Sequence, residues 1–384
     1  MAISRGDGMV RPNCALVGSR NSRIHLDTPA LILDLDALER NIERMAEWAK
    51  KVGIGLRPHL KTHKCSQIGR LQLAAGARGF CCATIGEAEV MVSAGLSNIL
   101  ITSPLVTDAK IERALLLLAQ DPGLCLVVDN RLNADRISEL AGRSGQTVDV
   151  LVDIDPGMHR TGVADMRTAI ELVGWIVSLK ALRFGGLQCY AGHVQHMSGL
   201  DARQEATLSV LGSLRVLSEE LKARGLEPAV VSGGGTGTHS IDGQAGVLTE
   251  LQVGSYALMD AQYNQVWTAD GRPPPFEVAL FVQSSVISNN HTGYATCDAG
   301  LKHFAVDGGK PAVARGAAPE ATYVYGGDCH GLVTGGPGAP ALELGDRIEF
   351  VVPHCDPTVN LYDAYHCVRG DELVDIWPIN ARGV

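Results

Sequence analysis

The 384-residue chain has no long apolar run, and its longest stretches, such as Ala114 to Leu118, fall far short of a membrane span. It has no run of Lys and Arg, and its net charge is −9 with a pI near 5.7. Generic nucleic-acid and anionic-membrane binding are therefore disfavoured. The first 27 residues mix Arg, Gly, Ser and Asn without an apolar h-region, so no secretory signal is visible. Ten cysteines are scattered with no C-x-x-C pair, which excludes a zinc ribbon or a redox dithiol. They read as reduced, mostly buried thiols of a cytoplasmic protein. There is no internal repeat and no long linker.

Apolar residues make up 46% of the chain and charged residues 20%, enough for a large buried core in one large domain or two moderate ones. Up to residue 254 apolar strands alternate with amphipathic helices, the pattern of a parallel α/β fold. An opening strand near 29–35 precedes a helix over 38–51. Eight further strands are expected near 56–62, 80–84, 98–102, 124–129, 148–154, 184–190, 229–232 and 251–254. Helices are expected over 86–94, 109–119, 134–141, 169–179 and 204–223. Eight strands with intervening helices predict a closed (β/α)8 TIM-like barrel. Beyond residue 260, β-like runs at 276–289, 321–325, 346–352 and 372–377 are separated by turns such as Gly335-Gly336-Pro337-Gly338. They predict a second, mostly antiparallel domain.

Barrel enzymes carry their chemistry at the C-terminal ends of the strands. Four clusters fall there. Arg57-Pro58-His59-Leu60-Lys61-Thr62-His63-Lys64 places an inward-facing lysine where desolvation can make it a nucleophile toward carbonyls, or else is a basic surface turn. In Asp153-Ile154-Asp155-Pro156-Gly157-Met158-His159-Arg160, Arg160 suits an anionic ring oxygen or substrate carboxylate, unless it pairs with Asp153 or Asp155. Gln188 to His196 brings Tyr190, His193 and His196 to a strand end, as base, metal ligand or neither.

Ser232-Gly233-Gly234-Gly235-Thr236-Gly237-Thr238, with Gly254-Ser255-Tyr256 one strand later, suits phosphate binding through converging backbone N–H groups. A flexible loop is the alternative. Only the first part of a dinucleotide fingerprint is present and no helix clearly follows, which excludes the dinucleotide fold. A fifth cluster, His354-Cys355-Asp356-Pro357-Thr358, sets His354 and Asp356 two apart on an extended segment, where they can share one cation. An imidazole and a carboxylate finished by waters suit Mn²⁺, Mg²⁺ or Co²⁺ at least as well as Zn²⁺.

A lysine, a phosphate cradle and an arginine in one barrel mouth fit an aldehyde cofactor that carries a phosphate, pyridoxal phosphate. With these motifs the sequence resembles the D-threonine aldolase, 3-hydroxy-D-aspartate aldolase and D-serine dehydratase group of the alanine racemase fold family. Further motifs carry the likeness: Thr28-Pro29-Ala30, Glu250-Leu251-Gln252-Val253-Gly254-Ser255-Tyr256-Ala257-Leu258-Met259-Asp260, and Asp298-Ala299-Gly300-Leu301-Lys302. It extends from about residue 28 to 383.

The resemblance implies fold type III of the pyridoxal phosphate enzymes, a barrel over residues 28–265 and a C-terminal β domain over 266–384. The extension 1–27 and the opening strand 28–36 would join the β domain. It implies that Lys61 holds the cofactor as a Schiff base, with Gly235, Thr236, Gly254, Ser255 and Tyr256 at its phosphate. Tyr190 would contact the ring and Arg160 its phenolic oxygen. His354 and Asp356 would bind the metal, Mn²⁺ before Mg²⁺ or Co²⁺, with His196 beside it as the base. A homodimer is implied, the barrel of one subunit facing a β domain.

In the related D-serine dehydratases a cysteine follows the metal histidine by two residues. Here Asp356 stands there, as in the aldolases, so the expected reaction is retro-aldol cleavage of D-threonine or D-allo-threonine to glycine and an aldehyde. Cleavage of 3-hydroxy-D-aspartate, or dehydration of D-serine or 3-hydroxyaspartate, is the alternative. The chain departs from the pattern at Asp328-Cys329-His330-Gly331, where aldolases carry Asp-Glu-His-Gly, at Ala83 in place of a common glutamine, and at Gly157-Met158-His159-Arg160 in place of Gly-Gln-Gly-Arg. These positions line or neighbour the substrate side and leave the substrate open.

Overall fold

The computed structural model describes residues 12–267, 272–336, 338 and 341–384. The chain enters through β1 (Ala30–Asp34) and α1 (Leu35–Val52), whose start is capped by Asp34 accepting the Ala37 N–H at 3.0 Å. Gly53, at φ +76°, stops it in the left-handed conformation that glycine adopts without strain. Eight parallel strands follow: β2 (Gly55–Leu56), β3 (Phe80–Cys82), β4 (Ile99–Ile101), β5 (Cys125–Val128), β6 (Val148–Asp153), β7 (Leu182–Cys189), β8 (Val230–Gly233) and β9 (Glu250–Leu251). Their order is β2-β9-β8-β7-β6-β5-β4-β3. The end strands meet through the His59–Cys81 bridge, with Arg78 N donating to Leu56 O at 2.8 Å and Cys81 N to Pro58 O at 2.9 Å. The sheet thus curls into a barrel.

Alternation along the strands sorts the residues. Cys81, Leu100, Val127 and Leu151 form one cluster, while Phe80, Cys82, Ile99, Ile101, Leu126, Val128, Val150 and Val152 join the larger core shared with the helices. The helices are α2 (Ser66–Ala74), α3 (Ile85–Ser93), α4 (Asp108–Leu118), α5 (Arg131–Arg143), α6 (Met166–Ser178), α7 (Leu200–Ala223) and α8 (His239–Ala245). Two of them correct the sequence reading. α2 is hidden because its buried positions include Ser66, Gly69 and Gln72 while Leu73 faces solvent, so no apolar stripe marks it. α8 does follow the glycine-rich stretch, begun at Thr238 and ended by Gly246 in the left-handed conformation.

The second sheet comprises β1, β10 (Leu280–Ser288), β11 (Ala295–Cys297), β12 (Ala312–Arg315), β13 (Thr322–Tyr325), β14 (Gly331–Thr334), β15 (Arg347–Val351), β16 (Ala364–Arg369) and β17 (Glu372–Pro378). All its pairings are antiparallel except β1 with β16. Residues 12–27 lie on this sheet: Arg23 grips Glu349 of β15 through two bonds at 2.6 and 2.7 Å, and Gly18 N donates to Leu373 O. Residues 1–11 and Pro337 of the Gly335 turn lie outside the described residues. A short helix, α9 (Cys355–Val359), connects β15 to β16 and faces the barrel.

Candidate active site

β2 ends in a 3-10 turn, Leu60–Thr62, capped by His59, whose Nδ1 accepts the Lys61 N–H at 3.4 Å. The cationic cluster of this segment is dispersed by the fold. Arg57 donates to Glu250 at 2.7 Å, and Lys64 to Glu87 at 2.8 Å. His59 Nε2 lies 3.2 Å from Thr102 Oγ1, and His63 Nε2 3.2 Å from Gln72 Oε1. Burial lowers the His63 imidazole to about 4, so it is neutral at pH 7. The segment is therefore no surface turn; Lys64 also reaches Ala381 O at 3.5 Å, while Lys61 is the cation that meets a carboxylate of the second domain.

Lys61 Nζ lies 3.0 Å from Asp356 Oδ2. The Asp356 carboxylate raises the lysine well above its ordinary value and outweighs burial, which corrects the expectation that desolvation lowers it. Burial works to raise Asp356, but Lys61 and then His354 outweigh it and hold the carboxyl far below the usual range. His354 and Asp356 do not sit on an extended segment. His354 is extended, but Cys355 opens α9, because Asp260 Oδ2 accepts the Cys355 N–H at 2.9 Å and Pro357 fits a first helical turn. Thr358 Oγ1 closes the turn onto His354 O at 2.7 Å.

The loop after β6 carries Arg160. Asp155 Oδ1 accepts the N–H groups of Gly157, Met158 and His159 at 2.9, 2.8 and 3.1 Å. Asp153 accepts Gln188 Nε2 and Thr161 Oγ1, both at 2.9 Å, and burial lifts it to about 6. Both carboxylates are thus committed to the loop, and Arg160 forms no ion pair among the described residues. Its guanidinium instead stands over Tyr190, 5.8 Å from the ring centre. Burial raises the Tyr190 phenol, keeping it protonated.

His196 follows the turn Gly192–Val194, its ring 4.4 Å from Tyr263 and 6.2 Å from His354 between centres. Burial, then His354, lowers its imidazole. His354 Nδ1 lies 2.7 Å from Asp307 Oδ2. An imidazole and a carboxylate on one turn form a nitrogen–oxygen donor pair that divalent cations accept with waters. Among the described residues no three His, Cys, Asp or Glu side chains form a ligand cluster.

Gly233, Gly234, Gly235, Gly237 and Gly254 line the ends of β8 and β9. A Cβ at Gly254 would collide with Thr62 Oγ1, and one at Gly233 with Cys189 O. Thr236 Oγ1 accepts the Tyr256 N–H at 3.0 Å, which leaves its own hydrogen to donate. Thr62 Oγ1 is buried beside the Asp356 carboxylate, which its hydroxyl helps hold ionised. The Tyr256 side chain turns into the core, where its hydroxyl accepts from Gln72 at 3.1 Å, so only its backbone belongs to this cradle. A lysine, a half-buried tyrosine under a guanidinium, and glycine backbone with the Thr236 hydroxyl left to donate fit a phosphorylated aromatic aldehyde. His193 and Cys329 are exposed. A larger cavity of about 630 Å³ between α1 and α2 is lined by Gly55 and Leu56, at the opposite end of β2 from Lys61.

Tyr263, Asp260, Asp307 and Gln195 also shape the site. Gln195 falls within the Gln188–His196 cluster and Asp260 ends the motif that begins at Glu250, though neither carries a role of its own there; Tyr263 and Asp307 have no local mark.

The family model of the alanine racemase N-terminal domain matches residues 33–262, and that of a serine dehydratase domain matches 279–368. The chain is 39% identical over 378 residues to a D-threonine aldolase from Arthrobacter sp., covering 98% of this chain and 97% of that protein. It is 37% identical over 373 residues to a 3-hydroxy-D-aspartate aldolase from Paracoccus denitrificans (strain Pd 1222), covering 96% and 95%. The crystal structure of D-threonine aldolase from Filomicrobium marinum matches with a TM-score of 0.89 at 40% identity, covering 94% of this chain and 96% of that one.

Proposed function

The chain belongs to the D-threonine aldolase and 3-hydroxy-D-aspartate aldolase group of the alanine racemase fold family, and from that premise we propose that it cleaves D-threonine or D-allo-threonine to glycine and acetaldehyde with a divalent cation, Mn²⁺ first. It is a pyridoxal-phosphate-dependent aldolase, a lyase acting on a D-amino acid. The single observation that carries the finer reading is the approach of Lys61 and Asp356 to 3.0 Å, which brings the reactive amine and a cation-seeking carboxylate to one place.

Lys61 would hold the cofactor, with Gly235, Thr236, Gly254, Ser255 and the Tyr256 backbone at its phosphate and Arg160 and Tyr190 at its ring. Pyridoxal phosphate supplies the electron sink for the pair released when the Cα–Cβ bond breaks. His354 and Asp356 would hold the cation, which lowers the pKa of an oxygen bound to it. His196, neutral at pH 7, takes the proton of the β-hydroxyl, and the Cα–Cβ bond opens as the aldehyde forms. A proton returned to Cα completes glycine. Asp356 is held ionised against burial by Lys61 and then His354, and that part would pass to the bound cation once the Lys61 amine is engaged.

The Paracoccus relative supports 3-hydroxy-D-aspartate as a second substrate. Ten unpaired cysteines support a cytoplasmic setting. A homodimer, the barrel of one subunit facing a β domain, belongs to the same reading and rests on the resemblance to these relatives alone. Both substrates assayed for glycine after chelation, and again after Mn²⁺ is restored, test the reading. Glycine should vanish with the chelator and return with the metal; release unaffected by chelation would remove the cation from the reaction.

A further inference from the structure

We infer that Gln195 is a positioning residue that locks the glycine-rich loop after β8 to the turn carrying His196, so that the cofactor phosphate and the base are held by one buried amide. The inference rests on the reading above that places the phosphate at Thr236, Gly254 and Ser255.

Gln195 is 1% exposed. Its Oε1 accepts the Gly237 N–H at 3.0 Å. Its Nε2 donates to Ala191 O at 3.2 Å and to Thr238 Oγ1 at 3.0 Å. Thr238 Oγ1 passes its own hydrogen to Asp242 Oδ2 at 2.5 Å. Both amide hydrogens and the amide oxygen are therefore used, which fixes the orientation of the group.

Packing reinforces these bonds. A Cβ on Gly235 would collide with Gln195 Oε1, and one on Gly237 with the Gln195 carbonyl oxygen. The two glycines flank Thr236, so the loop lies directly on the glutamine on either side of the residue assigned to the phosphate. An apolar side chain of similar volume would fill the space, yet it would strand the Gly237 N–H, and a stranded buried donor costs binding energy wherever the loop must keep its shape. His196 is the next residue in the chain, so any movement of the Gln195 backbone is transmitted to its ring beside His354.

Gln195→Met removes every polar link, Gln195→Glu keeps the acceptor for Gly237 and loses both donors, and Thr238→Val cuts the link to Asp242 while leaving the glutamine. Apoprotein of each is titrated with pyridoxal phosphate, and the ³¹P resonance of the bound cofactor and the melting temperatures with and without it are recorded. Gln195→Met should raise the cofactor Kd by roughly tenfold or more, and Gln195→Glu by less. The ³¹P resonance should move in both, and the melting increment on adding cofactor should shrink. If Gln195→Met does not fold, the shifts in Gln195→Glu and Thr238→Val decide. Unchanged Kd and ³¹P resonance, with melting lowered equally in apo and loaded protein, would overturn the inference and leave Gln195 as packing. Wild-type protein that takes up no cofactor would instead overturn the cofactor assignment itself.

Discussion

Lys61 Nζ and Asp356 Oδ2 meet at 3.0 Å across the junction between the barrel and the second domain, the lysine at the end of β2 and the aspartate in the first turn of α9. A lysine that gives its amine to a carbonyl carbon no longer offers that ammonium to the aspartate. A buried carboxylate left without a cation is costly, and a divalent ion shared with His354 is the replacement the neighbourhood allows. On the proposed assignment, cofactor loading at Lys61 and metal binding at Asp356 would be coupled through this one contact.

Lys61→Ala is expected to end covalent attachment of the cofactor. Borohydride reduction followed by mass spectrometry should find a phosphopyridoxyl adduct on the wild-type peptide and none on the variant. An adduct that persists would move the attachment to another lysine.

Asp356→Asn should separate the two ligands. Cofactor attachment is expected to survive, while Mn²⁺ affinity falls by at least about tenfold, the scale on which lost metal-site partners act, and glycine release falls with it. Mn²⁺ titration followed by electron paramagnetic resonance reads the affinity directly. Equal affinity in variant and wild type would place the ion elsewhere.

Asp242, beneath the glycine loop, has its carboxyl lifted from 3.8 to about 7 by burial. A carboxyl raised on folding favours the protonated native state, so the folded protein loses stability as pH rises from about 4 to about 7. Asp242→Asn lacks that slope. Relative to wild type its stability should climb across this window by an amount on the order of 4 kcal/mol at most, taking about 1.4 kcal/mol per pKa unit. Parallel urea midpoints for the two proteins at pH 4.5 and 7.5 would contradict the assignment.

Arg23 and Glu349 form a two-pronged ion pair with side chains 3% and 5% exposed, joining residues 12–27 to β15. Arg23→Ala leaves the buried Glu349 carboxylate with Gln283 at 3.2 Å and the longer approach of Arg315 at 3.8 Å, and should cost about 3 kcal/mol in chemical denaturation, the low end for a broken buried pair. A loss under about 1 kcal/mol would show the pair to behave as a solvated surface bridge.

The barrel was legible in the sequence because parallel strands buried on both faces read as short apolar runs, and polar clusters such as His59-Leu60-Lys61 stand out where those runs end. The second domain was only half legible. β12 is largely exposed and β11 spans three residues, so neither shows the alternation that reveals a half-buried strand. Lys61, Arg160, Tyr190 and Thr236 could be picked out from strand ends. Asp260 stands in a quoted motif but its part as a cap does not show there, and Asp307 could not be picked out, since a carboxylate that caps a distant turn or meets a distant imidazole leaves no local mark of that role. The helical turn at Asp356 was misread for that reason: the Asp260 cap that starts it lies 95 residues away in the chain.

The most direct measurement is the product balance from D-threonine with purified protein, pyridoxal phosphate and Mn²⁺, quantifying glycine, acetaldehyde, ammonia and 2-oxobutanoate together. Glycine and acetaldehyde in equal amounts are expected. Ammonia with 2-oxobutanoate would contradict the account and make the enzyme a dehydratase despite the aspartate at position 356.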